Sequence, residues 1–182
     1  MVAMETELES KLKEELSGWK QIVILGIGNE FGGDDSLGLL AAQKLRQALS
    51  NMPGVEVLTA GTVPENFTGK LRRLSPSHVI LIDAAELGER AGTIKLIDPH
   101  KIEKQPPSTH SIPLYMLVEY LEHELNCKVI ILGIQPKRAS FGGSMSDEVE
   151  SSVNQLVLSL PVILSAAKNL KDVSFCSSEA EV

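Results

Sequence analysis

Apolar residues along the chain follow two rhythms. Short runs of Ile, Val and Leu occupy residues 21–27, 55–59, 78–82, 93–97 and 128–134, each bounded by Gly, Pro or polar residues. Runs of that length and β-branched content predict strands, and near-continuous hydrophobicity predicts strands covered on both faces. Between them, apolar residues recur every three or four positions. Leu37, Leu40, Ala41, Leu45 and Ala48 predict a helix over 36–49, and the segment behind Pro64 predicts one near 65–74. A third helix is expected over 114–125. A fourth starts at Ser146 and carries its apolar stripe on Val149, Val153, Leu156, Val157 and Leu160. Ser146 reads as its N-cap, with Asp147 and Glu148 in the first turn where the helix dipole favours acid. Pro161 is expected to kink or end that helix. A further helical segment is expected to reach Leu170, with a frayed end over 174–182. Near the start, Leu8, Leu12, Leu16 and Trp19 keep helical spacing and predict a short amphipathic helix packed on the flank of the domain.

Strands alternating with helices predict an α/β fold with a mostly parallel sheet. About ten residues separate the third and fourth strands, fewer than the dozen or more that a parallel crossover needs. The fourth strand is therefore expected to run antiparallel at an edge, turned by Gly88 and Gly92. The expectation is a single three-layer domain over 1–182, with a mixed five-stranded sheet flanked by helices. Within it, 1–19 is a helical extension, 20–160 the catalytic core and 161–182 a C-terminal extension.

The composition narrows the function classes. With 43% hydrophobic and 23% charged residues the chain has the balance of a globular domain. A net charge of −7 would repel a phosphate backbone, and the longest basic run is Arg72-Arg73, so no nucleic-acid partner is expected. No uninterrupted apolar run reaches the roughly 18–20 residues of a membrane span, and the charged N-terminus lacks a signal peptide's apolar segment. The two cysteines, Cys127 and Cys176, stand far apart and suggest neither a disulfide framework nor a zinc knuckle. A reducing cytoplasm is the expected location.

The stretch Ile22–Gly38 carries the candidate chemistry. An apolar strand ends in a glycine-rich turn that delivers Asp34 and Asp35 to a helix start. Nucleotide binding fails on the motifs. Gly26 and Gly28 are followed by Phe31 where a dinucleotide fingerprint needs a third Gly. Gly28 and Gly33 have P-loop spacing, yet Asp34-Asp35 replaces Lys-Ser/Thr, and two carboxylates repel phosphate. In parallel sheets ligands bind beyond the carboxyl ends of the strands. Asp34 and Asp35 lie past the first strand, Asp83 ends the third, and His110 lies in a loop that returns toward the sheet. Asp35, Asp83 and His110 would offer two hard oxygens and a borderline nitrogen, a set suited to zinc or nickel. Three protein ligands leave a coordination position open for water or substrate. Plainer roles stand beside these: Asp34 as cap of the following helix, Asp35 as a first-turn acid, Asp83 and His110 as satisfied loop residues. No GxSxG elbow accompanies Ser108, Thr109 and Ser111, and Cys127 reads as core.

Four ordered segments then become familiar: GIGNEFGGDDSLG, IDAAELGERAGTIKLIDP, STHSIPLYML and VIILGIQP. They resemble the hydrogenase maturation endopeptidases, most closely the branch that processes the large subunit of hydrogenase-3-type NiFe enzymes. The resemblance runs from about Val23 to Leu156. It implies a mixed α/β sheet and an endopeptidase that removes a short C-terminal extension from a nickel-loaded large-subunit precursor. It also implies that Asp35, Asp83 and His110 contact the metal, that the nickel arrives with the precursor, and that the resting protein is metal-free. The precursor is the expected partner, with other maturation proteins as further candidates. Two other readings stay open at this point: a self-contained zinc peptidase or amidase, and a non-enzymatic binding module of flavodoxin-like shape. Ser36 departs from the small residue usual after the acidic pair.

Overall fold

A computed structural model describes residues 6–101, 113–137 and 143–170. Five strands form one sheet: β1 (Ile22–Ile27), β2 (Val55–Gly61), β3 (His78–Ala84), β4 (Ile94–Ile97) and β5 (Lys128–Ile134). Their spatial order is β2-β1-β3-β5-β4. β1 pairs parallel with β2 and β3, and β3 parallel with β5, whereas β4 runs antiparallel along β5 at the edge. The short β3–β4 connection thus has the consequence expected of it.

Strand alternation sorts the core into two layers. Ile22, Ile24, Ile80, Ile82, Ile130 and Leu132 pack beneath α1 (Thr6–Glu15), α2 (Leu37–Ala48) and α5 (Asp147–Lys168). Val23, Leu25, Val79, Leu81, Val129 and Ile131 pack beneath α3 (Thr68–Leu74) and α4 (Leu114–Glu124). Every residue of β1 is buried, which explains its unbroken hydrophobicity.

Leu8, Leu12, Leu16 and Trp19 all join the α2/α5 layer. The Trp19 indole donates to the Leu164 carbonyl at 2.8 Å, and the Lys168 ammonium lies 4.3 Å from its ring centroid. A buried indole keeps its hydrogen bond by this contact and fastens the chain before β1 to the last helix.

Two sequence expectations need correction. Pro161 neither ends nor interrupts α5, which continues unbroken from Asp147 to Lys168. Leu160, Ile163, Leu164 and Ala167 are buried on either side of the proline, so packing overrides the lost backbone bond. Ser146 stands at the N-cap position of α5, yet its side chain makes no cap bond there. Its hydroxyl is turned to Asp34 instead. By length and a mean hydropathy of 1.3, α5 is also apolar enough to cross a membrane. Its seven buried residues, Val149 through Ala167, mark the face of a core helix. Smaller differences lie at element ends: residues 64–67 form a turn of 3-10 helix before α3, and β3 runs one residue past Asp83, to Ala84.

Pro161→Ala restores an N–H for the Val157 carbonyl. It is expected to stabilise the protein by about 1–2 kcal/mol, the helix penalty of proline less its restriction of the unfolded chain. A higher urea midpoint at unchanged slope is the measurement that checks it.

Candidate functional site

The parallel strands point their carboxyl ends the same way, and the acidic turn follows β1 at that edge. The turn is held by its own backbone. Gly32 N–H donates to the Asn29 carbonyl at 3.0 Å, Asp35 N–H to Gly32 at 3.0 Å, and Asn29 N–H to Asp35 at 3.1 Å. The Ser36 hydroxyl donates to the Gly33 carbonyl at 2.6 Å. Gly33 sits at φ 56°, a left-handed conformation that glycine takes without strain. Gly28 is required by space as well: a Cβ there would lie 2.1 Å from the Asp35 carbonyl oxygen. These glycines serve chain turning and close approach, not phosphate.

Asp34 and Asp35 have divergent surroundings. Asp34 is only 2% exposed. Its carboxylate accepts the Lys137 N–H at 2.8 Å, the Ser146 N–H at 2.6 Å and the Ser146 hydroxyl at 3.0 Å. It does not cap the helix that follows it; no side-chain cap bond exists at Ser36 or Gly33. Instead it ties the turn after β1 to both ends of the β5–α5 connection. Charge-assisted bonds of this kind hold a buried carboxylate in place.

Asp35 keeps partial exposure, with its side chain against Gly32, where a Cβ would come within 2.6 Å of its own Cβ. Asp83, the penultimate residue of β3, is half-buried and accepts the Ala84 N–H at 2.8 Å. Burial pushes the Asp83 carboxyl up to about 7, the Ala84 bond opposes this, and the charge of Asp35 pushes it further up. Asp35 therefore lies close enough for its charge to reach Asp83 at the carboxyl edge. Like-charge oxygens of this sort suit a cation, which would relieve their repulsion. Alternation places Asp83 on the sheet face covered by α3 and α4, beside Val79 and Leu81.

His110 lies outside the described residues, as do Ser108, Thr109, Ser111, Gly142 and Cys176. Among the described residues no group of three or more His, Cys, Asp or Glu side chains is placed to share a metal ion. Of the expected trio, the structure brings together Asp35 and Asp83. The remaining histidines lie elsewhere: His78 is buried with its Nδ1 3.0 Å from the Ser77 hydroxyl, and His100 is 3.9 Å from Glu122. Cys127 is buried, its thiol donates to the Leu121 carbonyl at 3.2 Å, and burial pushes it up to about 11. That is an inert core thiol.

A buried amide stands beside the site. Gln135 is 5% exposed and structural. Its Oε1 accepts the Leu87 and Glu89 N–H groups at 2.7 and 3.3 Å. Its Nε2 donates to Glu86 at 2.9 Å and to the Pro136 carbonyl at 3.1 Å. It shapes the loop that leaves Asp83. A polar amide directly after an apolar strand was the available signal.

An α/β domain with a mixed five-stranded sheet and two carboxylates at its carboxyl edge belongs with the proteins that work on ligands at that edge. The chain is a member of the hydrogenase maturation protease family: the family model of that description (HycI) matches residues 39–160. That match includes Asp83 and begins after Asp35. A Methanocaldococcus jannaschii protein named as a hydrogenase maturation protease is 36% identical over 170 residues, 90% of this chain and 100% of the relative. The hydrogenase 3 maturation protease of Escherichia coli K12 is 35% identical over 132 residues, 72% of this chain and 83% of its own. Among solved structures, the NiFe hydrogenase maturation protease HycI from Thermococcus kodakarensis is similar with a TM-score of 0.77 and 31% identity, covering 85% of this chain and 99% of that one. The family assignment makes the chain a hydrolase of the endopeptidase kind and sets aside the reading as a non-enzymatic binding module.

Two expectations follow. Asp34→Ala leaves the Lys137 and Ser146 N–H groups without their acceptor and is expected to cost about 2–4 kcal/mol in urea unfolding. For Asp83, the folded-state value lies above the ordinary one, 3.8 against about 7. Between those values the unfolded chain releases a proton that the folded chain keeps, so stability falls as pH rises through the window. Asp83→Asn removes this loss. Its thermal midpoint is expected to match the parent near pH 4 and to exceed it increasingly up to pH 8, read by calorimetry across pH.

Proposed function

We propose that this protein is the endopeptidase that removes the C-terminal extension of a NiFe-hydrogenase large-subunit precursor, with nickel already in the precursor as its recognition signal. The observation that carries the reading is the carboxylate pair, Asp35 and Asp83, at the carboxyl edge. Asp83 is held near neutrality by burial and by Asp35 until a cation offsets the charge. His110 completes the proposed ligand set. It stands four residues before Leu114, where α4 opens. α4 precedes β5 in a parallel sheet, so its first turn lies at the carboxyl edge, on the face that Asp83 shares.

On this reading the three side chains complete the coordination of the precursor's nickel and hold the adjoining tail in register. Asp83 gives up its proton as the cation arrives, so binding strengthens as pH rises through its range. A bound cation supplies a polarised carbonyl and an activated water. No side-chain nucleophile is assigned. Asp34 serves from behind by fixing the turn that presents Asp35.

The test mixes the purified protein with nickel-loaded and nickel-free precursor and follows the mass of the large subunit. The loaded form is expected to lose its tail and the nickel-free form to keep it. Equal cutting of both would refute nickel recognition, and an intact tail in both would refute the assignment. His110→Ala is expected to abolish processing with the thermal midpoint within about 2 °C of the parent, as for a surface substitution. A large drop in midpoint would make His110 a structural residue. Metal analysis of the purified resting protein is expected to find no stoichiometric ion; a tightly held zinc would favour a self-contained zinc peptidase.

A further inference from the structure

α2 turns one face away from the core. Ser36 before it and Leu39, Leu40, Gln43 and Arg46 along it recur at helical spacing, and all five line one groove of about 720 Å3. The facing wall is the end of β2, Thr59, Ala60 and Gly61, and Phe67 and Met145 add apolar surface. The groove begins beside the acidic turn, since Ser36 adjoins Asp35 and Glu30 of the same turn lines its mouth.

β2 is an edge strand, so one side of its backbone has no strand neighbour. Arg46 Nε donates to the Val57 carbonyl at 3.3 Å, which identifies Val57 as facing that open side. Strand alternation points the N–H and C=O of Thr59 the same way, toward the groove, while Leu58 faces β1; Ala60 is an extra residue in the ladder, and beyond it the Gly61 carbonyl turns back to accept the Gly28 N–H at 3.1 Å. Thr59 is exposed, and a Cβ at Gly61 would meet nothing within 4 Å. The groove therefore runs along an open strand edge, with a helix wall opposite and a guanidinium closing its far end. α2 links parallel strands and so runs antiparallel to β2; a chain laid in the groove lies along the strand.

We propose that this groove holds the substrate's tail: the residues just after the scissile bond bind there as an extended strand added to β2. This deepens the function proposed above and rests on it. The length fits a short segment. Ten residues separate Ser36 from Arg46, about 15 Å along a helix, which is four to five residues of extended chain. Backbone bonds to Thr59 hold the tail, and alternate side chains turn to the apolar wall of Leu39, Leu40 and Phe67. Arg46 satisfies the Val57 carbonyl itself and so ends the free edge there. Because the mouth lies beside Asp35, a tail seated in the groove has its upstream end at the carboxylate pair.

Thr59→Pro removes the outward N–H without touching the β1 ladder, a substitution that an edge strand accepts. Gln43→Trp fills the groove from an exposed position on α2. Each variant is expected to raise KM for the nickel-loaded precursor about tenfold with kcat within about twofold, the signature of lost uniform binding. An unchanged KM in both folded variants would overturn the proposal. A second arm needs no cleavage: a synthetic peptide of the extension is titrated into 15N-labelled protein. Shifts at the Thr59 and Gly61 amides, abolished by Gln43→Trp, are expected; shifts confined to other surfaces, or none, would overturn the groove. If the peptide binds at Thr59 while the parent protein leaves every precursor uncut, the groove stands and the proposed function falls.

Discussion

The contact between α2 and the end of β1 is the constraint on which the site depends. A Cβ on Gly26 would lie 2.0 Å from the Gly38 carbonyl oxygen, and one on Gly38 would lie 2.1 Å from that of Ile27 and 2.3 Å from that of Ile82. Helix and sheet therefore meet backbone to backbone, at a distance that only paired glycines allow. Because the helix starts so close to the strand, the connecting turn is compressed against the carboxyl edge. Asp34 and Asp35 have no route away from it. What resembled a phosphate-binding glycine pattern is a packing pattern, and it delivers carboxylates to the edge.

Within that turn, one bond of rotation separates two kinds of acid. Asp34 points inward and is saturated by Lys137 and Ser146. Asp35 keeps partial exposure, and its charge adds to the burial that raises Asp83 to about 7. The first carboxylate acts as a mechanical tie: it joins the turn after β1 to the start of α5, so the elements around the edge cannot shift independently. Gln135 does for the β3–β4 loop what Asp34 does for the β5–α5 loop. The exposed acids are thus presented by a frame of buried polar residues, each fully bonded. Fixing the frame costs conformational entropy once, at folding, and spares the site that cost when it binds.

Much of this was legible along the chain. The five strands followed from their apolar runs, and β5 begins and ends where its run does. The antiparallel edge followed from the shortness of one connection. That Asp35 and Asp83 lie at one edge of the sheet followed from their positions at the ends of parallel strands. The misses share a cause: they turn on partners distant in sequence. Asp34 was read as a local cap because its true partners lie 103 and 112 residues away. Pro161 was read as a helix end because the rule for proline is local, whereas the burial of Ile163 and Leu164 is tertiary. Gln135 follows the same pattern: the N–H groups of Leu87 and Glu89 that it accepts lie 48 and 46 residues away.

The carboxylate pair also bears on how a peptidase of this kind would avoid cutting the wrong chain. An acid raised by burial and by the charge beside it forms a poor site for an ordinary peptide, which brings no charge to offset it. A tail attached to a divalent cation meets the opposite balance: the cation lowers the cost of ionising Asp83 and gains two oxygens at once. On the proposed reading, selectivity then comes from electrostatics at the edge and length of tail from the groove beside β2, two tests that an unloaded or unrelated chain would have to pass together. Such a division needs no large rearrangement, only a frame stiff enough to hold the edge in place. The buried bonds of Asp34 and Gln135 supply that stiffness.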